Sequence, residues 1–198
     1  KLIDVDKVFV VIGATRSGST LAAAPVANSR QVVLITPTSG SPKIADAGDF
    51  VFRTRESGDR QAAVLVRYAT SQLGLKRIAI YHPQEANAVG YKDAFVSFLK
   101  AAGIEPISVQ GFPETQQDLR TDLIKLAERK PEAVYVPGTA AHIARVLRQA
   151  DEIGLKTQFL SSTGAENPEL ITIAGKSAEG LVFATMAFDA GSNDPEVA

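Results

Sequence analysis

Cysteine is absent from all 198 residues, which excludes a disulfide framework, a thiolate metal site and a cysteine nucleophile together. Tryptophan is absent too, methionine occurs once, and histidine only twice. Neither sign of charge is in excess: 21 Lys and Arg stand against 22 Asp and Glu, for a net charge of -1. The chain therefore lacks the basic surplus that phosphate backbones demand, and no nucleic-acid partner is expected. The most apolar stretches, such as Val8 to Ile12 and Leu21 to Ala27, fall far short of the roughly 20 residues of a membrane-spanning helix. The chain is not expected to be membrane-embedded. A basic start, apolar middle and small-residue cleavage site are also missing. The abrupt opening at Lys1, just before a strand pattern, fits a processed or truncated N-terminus.

What is present is ordinary globular usage, with 45% apolar and 22% charged residues. Short β-branched runs alternate with helical patterns, a rhythm that reads as an α/β fold with parallel sheets. Strands are expected over Lys7 to Gly13, Val32 to Ile35, Phe50 to Thr54, Arg77 to Tyr81, Ile107 to Gln110, Ala133 to Val136, Thr157 to Leu160 and Leu181 to Ala184. Helical stripes appear in Ser19 to Asn28, in Ala62, Leu65, Ala69 and Leu73, in Leu119, Leu123 and Leu126, and in Ile143, Val146, Leu147 and Ala150. Gly74, Gly103 and Gly154 follow helices and suit the left-handed cap that glycine adopts cheaply. Lys130-Pro131 closes another helix, because proline disfavours helical geometry in the residue before it.

The rhythm is broken by Thr36-Pro37-Thr38-Ser39-Gly40-Ser41-Pro42, a loop signal. The polar segment Arg53 to Gly58 marks a domain crossing, and Asp189 to Pro195 marks a second connection.

Few residues invite chemistry. Gly13-Ala14-Thr15-Arg16-Ser17-Gly18-Ser19-Thr20 has the spacing of a phosphate-binding loop, but Ser19 stands where its lysine would meet the terminal phosphates. A serine-rich helix cap or a site for a small carboxylate accounts for it better. The loop Thr38 to Ser41 falls at the C-terminal edge of a parallel strand, where open α/β sheets bind ligands. His82 and His142 have no linked serine and carboxylate and read as core or solvated residues. No cluster has metal-ligand spacing, so no metal is expected. Asp118 suits a helix N-cap, and the charges from Lys125 to Lys130 a solvated helix end.

Taken with this rhythm, Val11-Ile12-Gly13 and Ser17 to Thr20, Pro37 to Pro42, Phe52-Arg53-Thr54, Arg77-Ile78-Ala79-Ile80, Leu147-Arg148-Gln149-Ala150, Gly154 to Phe159, Ile173-Ala174-Gly175 and Ala178-Glu179-Gly180 resemble the periplasmic leucine/isoleucine/valine-binding proteins. These are type I periplasmic binding proteins, the extracellular ligand-binding receptors of ABC transporters. The resemblance runs through nearly the whole chain. It implies two Rossmann-like lobes with parallel sheets that close on a ligand and deliver it to a membrane permease. On that basis residues 1–57 are the later part of lobe one, 58–186 are lobe two, and 187–198 cross back toward lobe one. A periplasmic location is implied, with no catalytic residue and no cofactor.

The resemblance also implies a site. Ser17 matches the family's carboxylate-gripping serine, Thr38 falls where a backbone carbonyl is used, and Gly40 falls where a threonine is used, so that hydroxyl is lost. Asn87, Thr139 and Thr163 stand at the positions of two aromatic residues and an ammonium-binding glutamate. Arg16, Ser19, Thr20 and Ser39 are further candidates beside them. Because burying an ammonium without a carboxylate costs several kcal/mol, the expected ligand is a small carboxylate without an amine: an aromatic, keto or hydroxy acid. Glu166, three residues beyond Thr163, is the nearest acid that would change this. The rival readings are a hydrophobic amino acid as ligand, a sensor or regulator domain of the same fold, and a nucleotide-using Rossmann enzyme.

Overall fold

The computed structural model describes residues 1–186, so the crossover expected over 187–198 lies outside the described residues. Among the described residues eight strands and six α-helices follow one another as β1 (Val10–Ile12), α1 (Ser17–Arg30), β2 (Val33–Thr36), β3 (Val51–Arg53), α2 (Gly58–Arg67), β4 (Ile78–Pro83), α3 (Ala86–Ala101), β5 (Ser108–Phe112), α4 (Arg120–Glu128), β6 (Ala133–Val136), α5 (Ala140–Glu152), β7 (Gln158–Ser161), α6 (Pro168–Ala174) and β8 (Val182–Phe183). They form two sheets, one ordered β1-β2-β3 and one ordered β5-β4-β6-β7-β8. Every pairing is parallel, as the alternation of strand and helix patterns requires.

The second sheet is covered on both faces. One face packs Ala62, Leu65, Val66 and Ala69 with Phe95 and Leu99 against Ile78, Ile80, Tyr135 and Leu160. The other packs Leu123, Leu126, Ile143, Val146, Leu147 and Leu170 against Ala79, Tyr81, Val134 and Val136. Alternate residues of β4 and β6 thus point to opposite cores. That is why both strands read as unbroken apolar runs rather than as alternating ones.

The glycine caps take the conformation the sequence implies, with φ of 66° at Gly74, 76° at Gly103 and 71° at Gly154. Lys130, ahead of Pro131, is itself pushed to φ 50°. One stripe is shorter than expected. Ala62, Leu65 and Ala69 are buried, but Leu73 is 38% exposed, because α2 continues as a π-helical turn over Tyr68–Gln72. There the Leu73 amide reaches back five residues to the Tyr68 carbonyl. The wider turn rotates Leu73 off the stripe.

Asp118 lies one residue before the N-cap position held by Leu119, yet its carboxylate accepts the Arg120 amide at 3.1 Å and grips the Arg120 guanidinium at 2.9 Å. Those bonds hold its pKa down at about 2. Both histidines are buried, and burial lowers both pKa values. No helix among the described residues is long and apolar enough to cross a membrane.

The rings of Phe95 in α3 and Tyr135 in β6 stack at 3.9 Å with 14° between their planes. Phe95→Ala removes one half of this pair from a fully buried site. It is expected to lower the unfolding free energy by about 3–5 kcal/mol, read from urea denaturation of the full-length protein.

Candidate functional site

The loops that follow β1, β2, β3, β4, β6 and β7 all open into one cleft of about 460 Å³. Its walls include Thr15, Arg16 and Ser17 after β1, Thr38 after β2 and Arg55 after β3. The second sheet contributes Glu85 and Asn87 after β4, Gly138 and Thr139 after β6, and Thr163, Glu166 and Glu169 after β7. In the second sheet β4 lies between β5 and β6, so the strand order reverses there. The chain leaves β4 and β6 toward opposite faces, and the crevice between their C-terminal ends is where open α/β sheets hold ligands.

Two helices present bare N-termini to this cleft. α1 begins after Arg16 and α5 after Thr139, neither with a side-chain cap nor with an acidic residue in its first turn. Their leading amides and the positive ends of their dipoles favour an anion. α3 differs, because Glu85 caps it by accepting the Ala88 amide at 2.9 Å.

Of the sequence-predicted residues, Arg16, Ser17, Thr38, Asn87, Thr139 and Thr163 line the cleft, and so does Glu166. Ser17 is buried, and its hydroxyl donates to Asn87 Oδ1 at 3.2 Å while accepting the Ser41 amide at 3.2 Å. It therefore links the loops of the two sheets. The Thr139 hydroxyl pairs with His142 Nδ1 at 3.1 Å. The Thr38 carbonyl accepts from Arg55 at 3.1 Å, and the Thr38 hydroxyl donates to the Thr15 carbonyl at 2.9 Å.

Gly40, Ser19, Thr20 and Ser39 do not line the cleft. A Cβ at Gly40 would stand 2.5 Å from the Tyr91 hydroxyl, so that phenol fills the space a threonine would need. Thr20 and Ser39 are buried against each other at 2.8 Å, and both bond the Ala14 carbonyl. They brace the turn after β1 instead of facing a ligand. Ser19 sits exposed on the outer side of the first turn of α1.

Residues the sequence reading passed over are Glu85, Arg55, Gly138, Gly164 and Glu169, which line the cleft, and Glu114 beside it. Arg16 donates to Glu114 Oε2 at 2.6 Å and lies 3.6 Å from Glu85 Oε2, bridging the first sheet's loop to the second's. The bond to Glu114, and then its charge, raise the Arg16 pKa. Arg145 of α5 holds the Glu114 loop by donating to the carbonyls of Glu114 at 3.3 Å and Gln116 at 2.7 Å. The one available signal for Glu85 is its place two residues after β4 and two before Asn87. Among the described residues no cluster suits a metal ion.

This architecture and cleft define a type I periplasmic binding protein. The chain belongs to the periplasmic binding protein family, whose sequence model matches residues 1–198. It is 32% identical over 178 residues to the Leu/Ile/Val-binding protein of Citrobacter freundii, a match covering 89% of this chain and 48% of that protein. It is 31% identical over 178 residues to the Leu/Ile/Val/Thr-binding protein of Salmonella typhimurium strain LT2, covering 89% of this chain and 49% of that one. The crystal structure of a leucine-binding protein from Thermotoga maritima superposes with a TM-score of 0.88 at 31% identity, covering 98% of this chain and 55% of the other. The chain spans about half the length of the curated relatives it matches.

Gly164 marks where the loops after β6 and β7 touch, since a Cβ there would collide with the Gly138 carbonyl oxygen. Gly164→Ala must push these backbones apart. A loss of about 1–3 kcal/mol of stability is expected, seen as a lowered melting temperature of the ligand-free protein.

Proposed function

We propose that the chain is part of the solute-binding component of an ABC importer. It captures a small carboxylic acid outside the cytoplasm and hands it to a membrane permease. Residues 1–57 and 58–186 serve as parts of two lobes that close on the ligand by a hinge motion. The reading rests chiefly on one observation: two uncapped helix N-termini, α1 from the first sheet and α5 from the second, open into a single cleft. A carboxylate held there meets aligned amides without a competing acid in either first turn. On ligand entry the Ser17 hydroxyl turns its proton from Asn87 to the carboxylate. Arg16, Thr38, Asn87, Thr139 and Thr163 complete the lining. Binding, not turnover, is the activity, in keeping with the binding-protein names of the relatives.

The relatives' names point to branched-chain amino acids. The loss of an acid at Thr163 points instead to an aromatic, keto or hydroxy acid. Glu85 supplies the cleft with a buried acid after all, so both kinds of ligand belong in the test.

A thermal-shift series on the full-length protein with leucine, valine, benzoate, 4-methyl-2-oxopentanoate and ATP decides the matter. At about 100 times its dissociation constant a true ligand adds about 2.7 kcal/mol and raises the melting temperature. At least one carboxylic acid is expected to do so, and Ser17→Ala is expected to weaken that acid by about 10- to 100-fold. Stabilisation by ATP alone, or by none of the acids, would refute the proposal.

A further inference from the structure

The geometry points to Glu85 as the residue that selects ligands carrying a cationic amine beside their carboxylate, a role that rests on the carboxylic-acid reading of the cleft. Glu85 lines the cleft with its side chain only 5% exposed. One carboxylate oxygen, Oε1, is committed to the Ala88 amide at 2.9 Å. The other, Oε2, accepts no hydrogen bond among the described residues. Its nearest cation, Arg16, stays 3.6 Å away and is held by Glu114 at 2.6 Å.

Capping alone does not explain a glutamate at this position. Ser, Thr and Asn cap helices well without burying any charge, and Asp is the better acidic cap. The second oxygen faces the cleft with only a long ion pair to Arg16, whose same nitrogen sits closer to Glu114, and this leaves a place for a second cation.

The neighbourhood supplies the complement. Arg16 and Ser17 begin α1, and Ser17 is bonded to Asn87, two residues after Glu85. The anion-favouring end of α1 and the anionic Glu85 therefore sit side by side. An α-amino acid carries its carboxylate and ammonium on one carbon, which suits such a pair. Its ammonium takes Glu85 Oε2 while Arg16 keeps Glu114. Glu166 and Glu169 are exposed, and the Glu166 carboxylate is occupied by the Thr185 hydroxyl, so Glu85 is the buried acid of the wall.

Two matched pairs test this by isothermal titration of the full-length protein: leucine with 4-methyl-2-oxopentanoate, and phenylalanine with phenylpyruvate. Within whichever pair binds, the amine is expected to bind about 30-fold or more tighter than its keto partner. Glu85→Gln keeps a cap oxygen for Ala88 but removes the charge. It is expected to weaken the amine by about 100-fold while moving the keto acid by no more than about 3-fold. Equal losses for both partners, or an unchanged amine, would reduce Glu85 to a helix cap and overturn the inference. Should Glu85→Gln fail to fold, the wild-type preference decides, and parity or a keto preference overturns it. If no member of either pair binds, the carboxylic-acid reading fails and this inference falls with it, an outcome distinct from binding without amine preference.

Discussion

Burial of β4 and β6 on both faces is the constraint from which the rest of this molecule follows. All six residues of β4 and all four of β6 are buried, so helices must cover each side of the sheet. Parallel strands can be joined only by crossovers, and those crossovers place α2 and α3 on one face and α4, α5 and α6 on the other. Between two strands whose connections leave in opposite directions no helix can lie across the C-terminal edge. A crevice opens there by geometry, before any residue is chosen for a ligand.

What fills its walls is then a matter of helix ends. Each crossover helix starts at a strand's C-terminal edge, so its unpaired amides and positive dipole end point at the crevice unless a side chain caps them. α1 and α5 are left bare, while α3 is closed by Glu85. The wall thus has an anion-favouring part and an anionic part, set by one choice of cap. Arg16 crosses between them, and its bonds to Glu114 and approach to Glu85 tie the loops of one sheet to those of the other. The tie to Glu114 joins two partly exposed groups and is weak and adjustable.

The fold was legible because its signals are periodic. β-Branched runs, helical stripes and terminal glycines each repeat, and all eight expected strands overlap observed ones within a few residues. Leu73 was misjudged because a π-helical turn shifts the phase of a stripe without leaving a mark in residue type. The site was legible only in part. Ser17, Thr38, Asn87, Thr139 and Thr163 reach the cleft because loop position follows from topology. Which loop residue turns inward does not. Thr20 and Ser39 look as well suited to a ligand as Ser17, yet they face the Ala14 carbonyl. Glu85 and Glu114 were passed over because their meaning depends on Arg16, which is remote in sequence.

Gly40 shows why a position cannot be read alone. Losing a threonine there removes a hydroxyl, and the sequence suggests a weakened grip. In the structure the Tyr91 ring of α3 lies in a groove floored by two glycines, Gly40 and Gly58, where a Cβ on either would stand 2.5 Å from the ring or its hydroxyl. The Gly58 amide bonds the Gly40 carbonyl at 3.0 Å, joining the loop after β2 to the start of α2. The absence of a side chain at Gly40 therefore admits a large aromatic from α3. Gly40 serves packing between the two sheets, where the chain crosses from one to the other.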